Sequence, residues 1–387
     1  MTARLSFDVA VVGGGIAGCA AAIALRKSGM SVVVLDRNRC GAGASGVNFG
    51  GVRQQGRNLH ELPLARRARS LWTDLAALLG EDIEFDVSGH IKLARSEADM
   101  AELERYAADA AERGLDLQLL GANTVRAELP WLGEAVVGAS LSPEDGQANP
   151  RVVGPAYARL ARRLGVDIRE QTCVTAAAAT LSGFTIEADG LEVASTWLIN
   201  TAGVFGGTLA GWFGETAPVE ALMPNMLVTE PLPYFASRSV GVCGGDVYLR
   251  QTRRGNVIFG GGRGWGDAEL ARSRPLAEQS LAGMQRTLAL VPQLAGTQVI
   301  RTWTGIDGQT PDRIPVIGPS RTTPRLVHAF GFSGHGFQLA PAVGEVLAEL
   351  VLAGTTPTPI EPFAIDRFSE PVSKPASSPH TEHRNEG

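Results

Sequence analysis

Two short apolar runs near the start of the chain enclose a segment with helical periodicity. Residues 9–12 form the first run and lead into three glycines, and residues 32–35 form the second and lead into Asp36. Between them, Ala22 and Leu25 fall where a helix packed on a strand needs a small residue and a core residue, and Gly29 provides a stop. The pattern predicts a strand, a turn, a helix and a second strand, which together make a βαβ unit.

Further along the chain, the hydrophobic pattern alternates between the helical period and the strand period. We predict helices over residues 63–79, 96–113, 123–129, 151–164, 275–291 and 343–352. We predict strands over residues 167–174, 184–188, 191–194, 197–203, 221–230, 247–251, 256–262, 299–306 and 326–330, and a hairpin over residues 85–93. Strands predominate from residue 218 to about residue 306, which indicates a second, mainly antiparallel domain. The polar stretch 369–387 lacks periodicity and is predicted to be disordered.

Composition and charge narrow the class of protein. The chain has 387 residues, 44% of them apolar, which suits a globular protein of about two to three domains. A net charge of −5 offers no basic face to a nucleic acid. Every long apolar run contains helix breakers, so we expect no membrane span. The four cysteines are scattered, with neither metal-binding spacing nor a disulfide framework, which favours a cytoplasmic location.

The turn after the first predicted strand has the chemistry of a dinucleotide fingerprint. Gly13 permits a tight turn, Gly15 lets a pyrophosphate approach the backbone, and Gly18 lets the helix pack close to the strand. The N-terminus of the helix presents unpaired N–H groups to phosphates. Asp36 is placed to accept hydrogen bonds from both ribose hydroxyls. The alternative is a structural βαβ unit that binds no nucleotide.

Later segments add to this pattern. The loop 37–46 is rich in glycine and other small residues, so its amides can form a nest for an anion, although a flexible surface loop has a similar composition. The strand ending in Thr-Ala-Gly at residues 201–203 places small residues where a cofactor passes close to the sheet. Arg53 follows a glycine pair, an unusual position for a solvated charge, and is a candidate site residue. Arg57 is equally compatible with the surface.

Taken together, the motifs resemble those of the FAD-dependent D-amino-acid oxidase superfamily. They are GGGIAG at residues 13–18 with Asp36, GAGASG at 41–46, NTAG at 200–203, TPDRIPVIG at 310–318 and GFSGHGFQLAP at 331–341. The chain looks most similar to the sarcosine oxidase and glycine oxidase branch, which includes β subunits of heteromeric opine and hydroxyproline dehydrogenases. The resemblance covers nearly all of residues 5–365.

The resemblance implies an α/β fold with two domains. A Rossmann-like FAD-binding domain would be assembled from the discontinuous segments 1–85, 145–217 and 307–368. An α+β substrate domain with a mainly antiparallel sheet would take residues 86–144 and 218–306. By match to the family, the residues implied to bind FAD are Gly13, Gly15, Ile16, Ala17, Gly18, Asp36, Arg37, Ala44, Ser45, Gly46, Val174, Thr201, Ala202, Gly203, Gly334, His335, Gly336, Phe337 and Gln338.

Two departures from the family pattern bear on how the cofactor is held and reoxidised. Gly305 stands near the place where monomeric sarcosine oxidases carry a cysteine bound covalently to the flavin, so the resemblance implies non-covalent FAD. Ile258 stands near a lysine credited with oxygen activation in that group. An apolar residue there favours a dye or quinone over oxygen as electron acceptor.

Two further departures concern the substrate carboxylate. Gln338 and Asp307 stand near the positions of a carboxylate-binding lysine and arginine in the family. Arg53, Tyr248 and Arg250 are therefore our candidates for contacts with the substrate. His335, beside the expected flavin, is a candidate for tuning the ring or the protonation of the substrate, and packing alone is the alternative.

The reaction implied is the oxidation of a carbon–nitrogen bond. An amino acid or N-substituted amino acid of the sarcosine, glycine, D-amino acid, hydroxyproline or opine type would pass a hydride to flavin N5, and the imine would hydrolyse. The expected partners are an electron acceptor (oxygen, a quinone or a partner subunit) and a possible heteromeric partner. The alternatives are oxidation of a 2-hydroxy acid or glycerol phosphate, an NAD-dependent dehydrogenase, and a non-catalytic subunit that retains FAD.

Overall fold

The computed structural model describes residues 3–369, and its elements are numbered in chain order. The strands are β1 (Ala3–Val12), β2 (Val32–Leu35), β3 (Gly51–Val52), β4 (His90–Ala94), β5 (Gln118–Gly121), β6 (Gly138–Ser142), β7 (Gly146–Gln147), β8 (Asp167–Arg169), β9 (Val174–Ala179), β10 (Phe184–Ala188), β11 (Leu191–Asn200), β12 (Glu220–Leu222), β13 (Pro224–Pro231), β14 (Ser239–Val242), β15 (Tyr248–Gln251), β16 (Asn256–Arg263), β17 (Trp265–Asp267), β18 (Arg272–Arg274), β19 (Val299–Thr304), β20 (Asp307–Gln309), β21 (Val316–Pro319) and β22 (Leu326–Phe330). The α-helices are α1 (Ile16–Lys27), α2 (Ala44–Val47), α3 (Leu62–Leu79), α4 (Glu97–Ala111), α5 (Ala122–Glu128), α6 (Pro150–Arg163), α7 (Gly206–Gly211), α8 (Ala277–Leu290) and α9 (Gly336–Ala353). Short 3-10 helices cover Leu59–Glu61, Gly203–Phe205, Pro292–Leu294, Glu361–Phe363 and Ile365–Phe368.

The first large sheet contains the predicted βαβ unit. Its strand order is β21-β22-β11-β1-β2-β8, and the strands from β22 to β8 are parallel. Residues 9–12 and 32–35 are buried because this part of the sheet is covered on both faces. Val9 and Val11 face a core that includes α1, α3, α6 and α9, whereas Ala10 and Val12 face the opposite core around β9, β10 and α7.

The second large sheet is mainly antiparallel, as the β-rich composition predicted. Its order is β19-β13-β16-β15-β14-β4-β6-β5, and β4 and β14 form its parallel pair. One face forms a hydrophobic core with Ile91, Leu93 and Leu249. Because side chains alternate along a strand, the neighbouring His90, Lys92 and Tyr248 project from the opposite face.

The two sheets draw their strands from different parts of the chain. The strands of the first sheet lie within residues 1–85, 145–217 and 307–368, and those of the second lie within 86–144 and 218–306. We propose that the two sheets mark the two domains. Apart from Ser369, the tail predicted to be disordered lies outside the described residues.

Several predicted elements need correction. Residues 85–93 are not a hairpin, because Asp86 bridges to Gln147 and β4 pairs with β6 and β14. The predicted strands 191–194 and 197–203 are one strand, β11, and the predicted strand 167–174 is divided between β8 and β9. Helix α9 begins at Gly336, well before residue 343, and contains Pro341 within it. Proline is disfavoured inside a helix because it has no N–H to donate, so local sequence preference does not indicate this longer helix.

Helix α9 is a core helix. Among the described residues it is the one helix long and apolar enough to cross a membrane, and 72% of it is buried inside the protein. It packs against α1, where a Cβ on Gly344 would lie 2.4 Å from Cβ of Ala20. This close packing fixes α9 beside the βαβ unit of the first sheet.

Candidate functional site

A cavity of about 1110 Å³ extends from the turn after β1 to the second sheet. Most of the predicted site residues line it: Gly13, Gly15, Ile16, Ala17, Gly18, Asp36, Arg37, Ala44, Ser45, Arg53, Val174, Thr201, Ala202, Gly203, Tyr248, Gly334, His335, Gly336 and Phe337. Gly46, Arg250 and Gln338 are not among the lining residues. The lining also includes Arg57, His90 and Lys92, which are outside the predicted site set.

The glycines of the fingerprint sit where their conformation and size are required. Gly13 has a φ of +105°, and a Cβ there would lie 2.2 Å from the carbonyl oxygen of Thr201. A Cβ on Gly18 would lie 2.1 Å from the carbonyl oxygen of Gly13. Neither position tolerates a side chain without backbone movement, so the turn holds the N-terminus of α1 against the end of β11.

The glycine-rich loop is folded over the N-terminus of α1 and is not a free surface loop. Ser45 Oγ accepts a hydrogen bond from Ile16 N at 3.1 Å, and Gly41 N donates to the carbonyl oxygen of Gly14 at 2.9 Å. Gly46 is buried, and a Cβ there would lie 2.2 Å from Gly41 O, so its contribution is to the fold of the loop. The first N–H groups of a helix lack intrahelical partners, so this end of the cavity favours phosphate.

Asp36 follows β2 and closes the same end of the cavity. Its Oδ2 accepts from Gly14 N and its Oδ1 from Asn38 N, each at 2.7 Å. Burial raises the pKa of Asp36, and the two backbone hydrogen bonds oppose this rise. Each carboxylate oxygen has a second lone pair, so the group can still accept from ribose hydroxyls. Arg37 lies beside it, with Cζ 4.5 Å from the ring centroid of Phe205.

The other end of the cavity is formed by the loop before α9. The histidine of this loop, His335, occupies the N-cap position of the helix. Asp307 fixes the loop by accepting a hydrogen bond from Gly334 N at 2.6 Å. Burial raises the pKa of Asp307 to about 6. An acid near the position of the family's substrate-binding arginine therefore organises the loop.

A buried carboxylate that the sequence analysis missed contacts His335. Nδ1 of His335 lies 3.0 Å from Oε2 of Glu61, and Glu61 has no exposed surface. Burial, followed by the charge of Arg57, lowers the pKa of His335 to about 4. Burial alone would raise the pKa of Glu61, but the contacts with His335 and Arg57 hold it below its usual value. The pair is therefore a neutral imidazole that donates from Nδ1 to a carboxylate, which leaves Nε2 as an acceptor.

Arg57 is buried and incompletely paired. Its Nε donates to the carbonyl oxygen of Arg53 at 3.0 Å, and its Nη2 donates to Oε1 of Gln338 at 3.2 Å. Its Nη1 has no hydrogen-bond partner among residues 3–369. Burial, followed by the charge of Arg53, lowers the pKa of Arg57 to about 10. Gln338 also donates to Ala65 O at 2.7 Å, so it orients Arg57 from outside the cavity.

The two candidates on β15 have different surroundings. Arg250 donates from Nε to the carbonyl oxygen of Phe49 at 2.5 Å and from Nη1 to Gln147 at 3.3 Å. It therefore supports the loop at Phe49, and the structure does not place it as a substrate clamp. Tyr248 does line the cavity, edge-on to Phe49, and burial raises its pKa to about 12. It is a neutral phenol in the cavity wall.

His90 and Lys92 were overlooked although their sequence carried a signal. The segment His-Ile-Lys-Leu alternates polar and apolar residues, which is typical of a strand with one face in a core. The predicted hairpin obscured this pattern. Glu61 also had a local signal, because it forms a capping box with Asn58, but its contact with His335 joins residues 274 positions apart.

The positions of Gly305 and Ile258 bear on the two predicted departures. Gly305 lines the cavity, and a Cβ there would lie 2.9 Å from Cγ2 of Val47. Ile258 is not among the lining residues, so its side chain gives no support for the predicted choice of electron acceptor. Lys92 is a lysine that does line the cavity.

The shape and chemistry of the cavity fit FAD. At one end are a glycine turn that excludes Cβ atoms, a helix N-terminus and a carboxylate, which suit pyrophosphate and ribose. At the other end are the N-terminus of α9 and the polar face of the second sheet. The same cavity therefore joins a nucleotide-binding turn to a group of cationic side chains.

Comparison with known proteins agrees with this geometry. A subunit of the opine oxidase of Rhizobium meliloti is 28% identical over 93% of this chain and 97% of its own length. The crystal structure of L-proline dehydrogenase from P. horikoshii has a TM-score of 0.88 and 26% identity, covering 95% of this chain and 98% of that one. Glycine oxidase from Geobacillus kaustophilus has a TM-score of 0.86 and 26% identity, covering 94% and 99%. Residues 8–350 match the family described as FAD dependent oxidoreductase (DAO), and the chain belongs to that family.

Proposed function

We propose that this protein oxidises the carbon–nitrogen bond of an amino acid or N-substituted amino acid, with FAD bound non-covalently. The observation that carries the proposal is the buried Arg57, whose Nη1 has no hydrogen-bond partner among residues 3–369. Arg57 and the neutral imidazole of His335 line the same cavity, which begins at a dinucleotide turn. The names of the similar proteins support it, because opines, proline and glycine all carry an amine next to a carboxylate.

The residues proposed to hold FAD are divided between the two ends of the cavity. The turn at Gly13, the start of α1 and the loop at Ser45 would bind the pyrophosphate, and Asp36 would bind the ribose. The N-terminus of α9 would face the ring, where its dipole favours negative charge. When bound, FAD supplies the two-electron acceptor for the substrate carbon.

The substrate carboxylate needs a cationic partner in this cavity. An unpaired carboxylate in a low-dielectric site costs several kcal/mol, and so does an unpaired guanidinium. Both Arg57 and Arg53 line the cavity. Nη1 of Arg57 is buried without a hydrogen-bond partner among residues 3–369, and Nη1 of Arg53 donates to Gln55 O. We assign the carboxylate to Arg57, a residue outside the sequence-based set of candidates for contacts with the substrate.

His335 has a separate role in the proposal. Glu61 fixes the proton on Nδ1, so Nε2 can accept a hydrogen bond from the substrate amine and orient it. A pKa of about 4 makes His335 an acceptor at neutral pH and a poor store for a proton. The amine therefore has to be neutral when it reacts.

The electron acceptor and the setting of the protein are also proposals. Oxygen, a quinone or a partner subunit would reoxidise the cofactor. The opine oxidase relative is named as a subunit, which supports a heteromeric partner. The cytoplasmic location rests on the cysteine pattern, and all four cysteines are free.

Anaerobic reduction of the FAD-loaded protein tests the function. Amino acids, N-substituted amino acids and 2-hydroxy acids are added in turn while flavin absorbance is followed. We expect bleaching by an amine, with release of ammonia or an amine product. Bleaching by a hydroxy acid alone would assign carbon–oxygen oxidation, and no bleaching by any member of the panel would support a non-catalytic subunit.

A further inference from the structure

The cavity contains cationic groups beyond the arginine assigned to the first carboxylate. Arg53, Arg57 and Lys92 all line it. Arg53 Nη1 and Lys92 Nζ approach the same point, the position of a Cβ on Gly56, at 2.8 and 4.0 Å. These two cations therefore lie close together in one part of the cavity.

The two histidines of the cavity, His335 and His90, serve as reference points for the positions of the three cations. The pKa of His335 is lowered by burial, then by the charge of Arg57, and least by that of Arg53. The pKa of His90 is lowered by burial, then by the charges of Arg53 and Lys92, and least by that of Arg57. Arg57 donates to Gln338 on α9, so it lies toward His335. Arg53 donates to Gln55, whose amide contacts His90, and Lys92 lies on the same strand as His90, so these two cations lie toward His90.

The nearby carboxylates form no direct ion pair with the two arginines. Asp145 is buried and accepts hydrogen bonds from Gln54 and Gln55, and Glu61 is paired with His335. In the described part of the chain, neither Arg53 nor Arg57 forms an ion pair within 4.0 Å. Lys92 has a long contact of 3.5 Å with Glu102, whose side chain is 54% exposed.

We propose that Lys92 and Arg53 form a second anion subsite, and that the substrate is an amine with two carboxylates, such as an N-carboxyalkyl amino acid. The inference rests on the proposed function, in which Arg57 pairs the first carboxylate. Lys92 lies on β4, so the second carboxylate points toward the second sheet. A neutral or apolar substituent would leave Arg53 without an anion and Lys92 with only its long contact to Glu102.

Binding of two matched thioethers tests the subsite without turnover. Thiodiacetate has two carboxylates, (methylthio)acetate has one, and neither has an amine to oxidise. Isothermal titration of the FAD-loaded protein should give tighter binding of thiodiacetate by about 10- to 100-fold. Equal affinities for the two compounds would overturn the subsite.

Three variants locate the effect. Lys92→Met should abolish most of the preference for thiodiacetate and leave (methylthio)acetate unchanged. Glu102→Gln should strengthen thiodiacetate binding, because it removes the anion that competes for Lys92. Lys27→Met, an exposed lysine outside the cavity, is the matched control and should change neither affinity. Equal loss of both ligands in Lys92→Met would show a structural role and overturn the assignment.

The test of the second subsite can fail while the proposed amine oxidation holds, and the reverse is also possible. Oxidation of N-methylglycine and N-carboxymethylglycine with equal kcat/KM would keep the amine oxidation and reject the second subsite. A preference for thiodiacetate without oxidation of any amine would keep the subsite and reject the proposed reaction.

Discussion

Nδ1 of His335 lies 3.0 Å from Oε2 of Glu61, a carboxylate with no exposed surface. The contact joins the N-terminus of α9 to the residue before α3, and the charge of the buried guanidinium of Arg57 acts on both partners. It fixes both the tautomer of the imidazole and the charge of the acid, so the polar end of the cavity is set before a ligand binds.

The first prediction concerns the stability of the FAD-loaded protein against pH. The pKa of His335 is about 4 when folded and 6.5 when unfolded, so between these values the unfolded chain binds a proton that the folded chain does not. Stability therefore falls as the pH drops through this window. In His335→Gln, the fall in melting temperature between about pH 7.5 and about pH 5 should be smaller. His90 has a lowered pKa in both proteins and contributes equally, and an unchanged fall would contradict the assignment.

The second prediction concerns the arginines. Arg53→Met and Arg57→Met should each raise the substrate half-saturation by roughly 30- to 1000-fold, the loss of about 2–4 kcal/mol. FAD content should stay nearly intact. Arg250→Met is the matched control, because this buried arginine does not line the cavity. A larger rise in half-saturation in Arg250→Met than in the other two variants would assign the substrate carboxylate to Arg250 instead.

The third prediction concerns the ribose. Asp36→Ala should weaken FAD retention by about 2–3 kcal/mol, because it removes charge-assisted hydrogen bonds. Asp8→Ala is the control, since Asp8 accepts similar bonds from Ser31, the residue before β2, and lies outside the cavity. Retention of FAD after dialysis is the measurement. Full occupancy in Asp36→Ala would exclude the ribose contact.

The fourth prediction concerns the link to the cofactor. Acid or heat should release all of the yellow colour into the supernatant, because Gly305 supplies no thiol for a covalent bond. Absorbance of the supernatant and pellet gives the result. Colour that stays with the precipitated protein would show a covalent link at another residue.

Local chemistry allowed the family, the fold and the turn at Gly13 and Gly18 to be predicted from the sequence. Those two glycines have their effect within one βαβ unit, where spacing carries the information. The contacts of Glu61 with His335 and of Arg57 with Gln338 could not be predicted in this way, because they join segments far apart in the chain that meet only after α3 packs on α9. For Arg250 the sequence was misleading. An arginine suits the binding of a carboxylate, but this one donates a hydrogen bond to the loop at Phe49 and does not line the cavity.

The position of β1 between β2 and β11 has a consequence for how the protein is made. A ribosome adds about 5–20 residues per second, so β1 waits about 10–40 seconds after its synthesis before β11 emerges to cover its second edge. The N-terminus of α9, at the far end of the cavity, emerges later still. The cavity is therefore complete only when translation has nearly ended. Until β11 emerges, the N-terminal segment keeps an open strand edge, a surface on which chains associate.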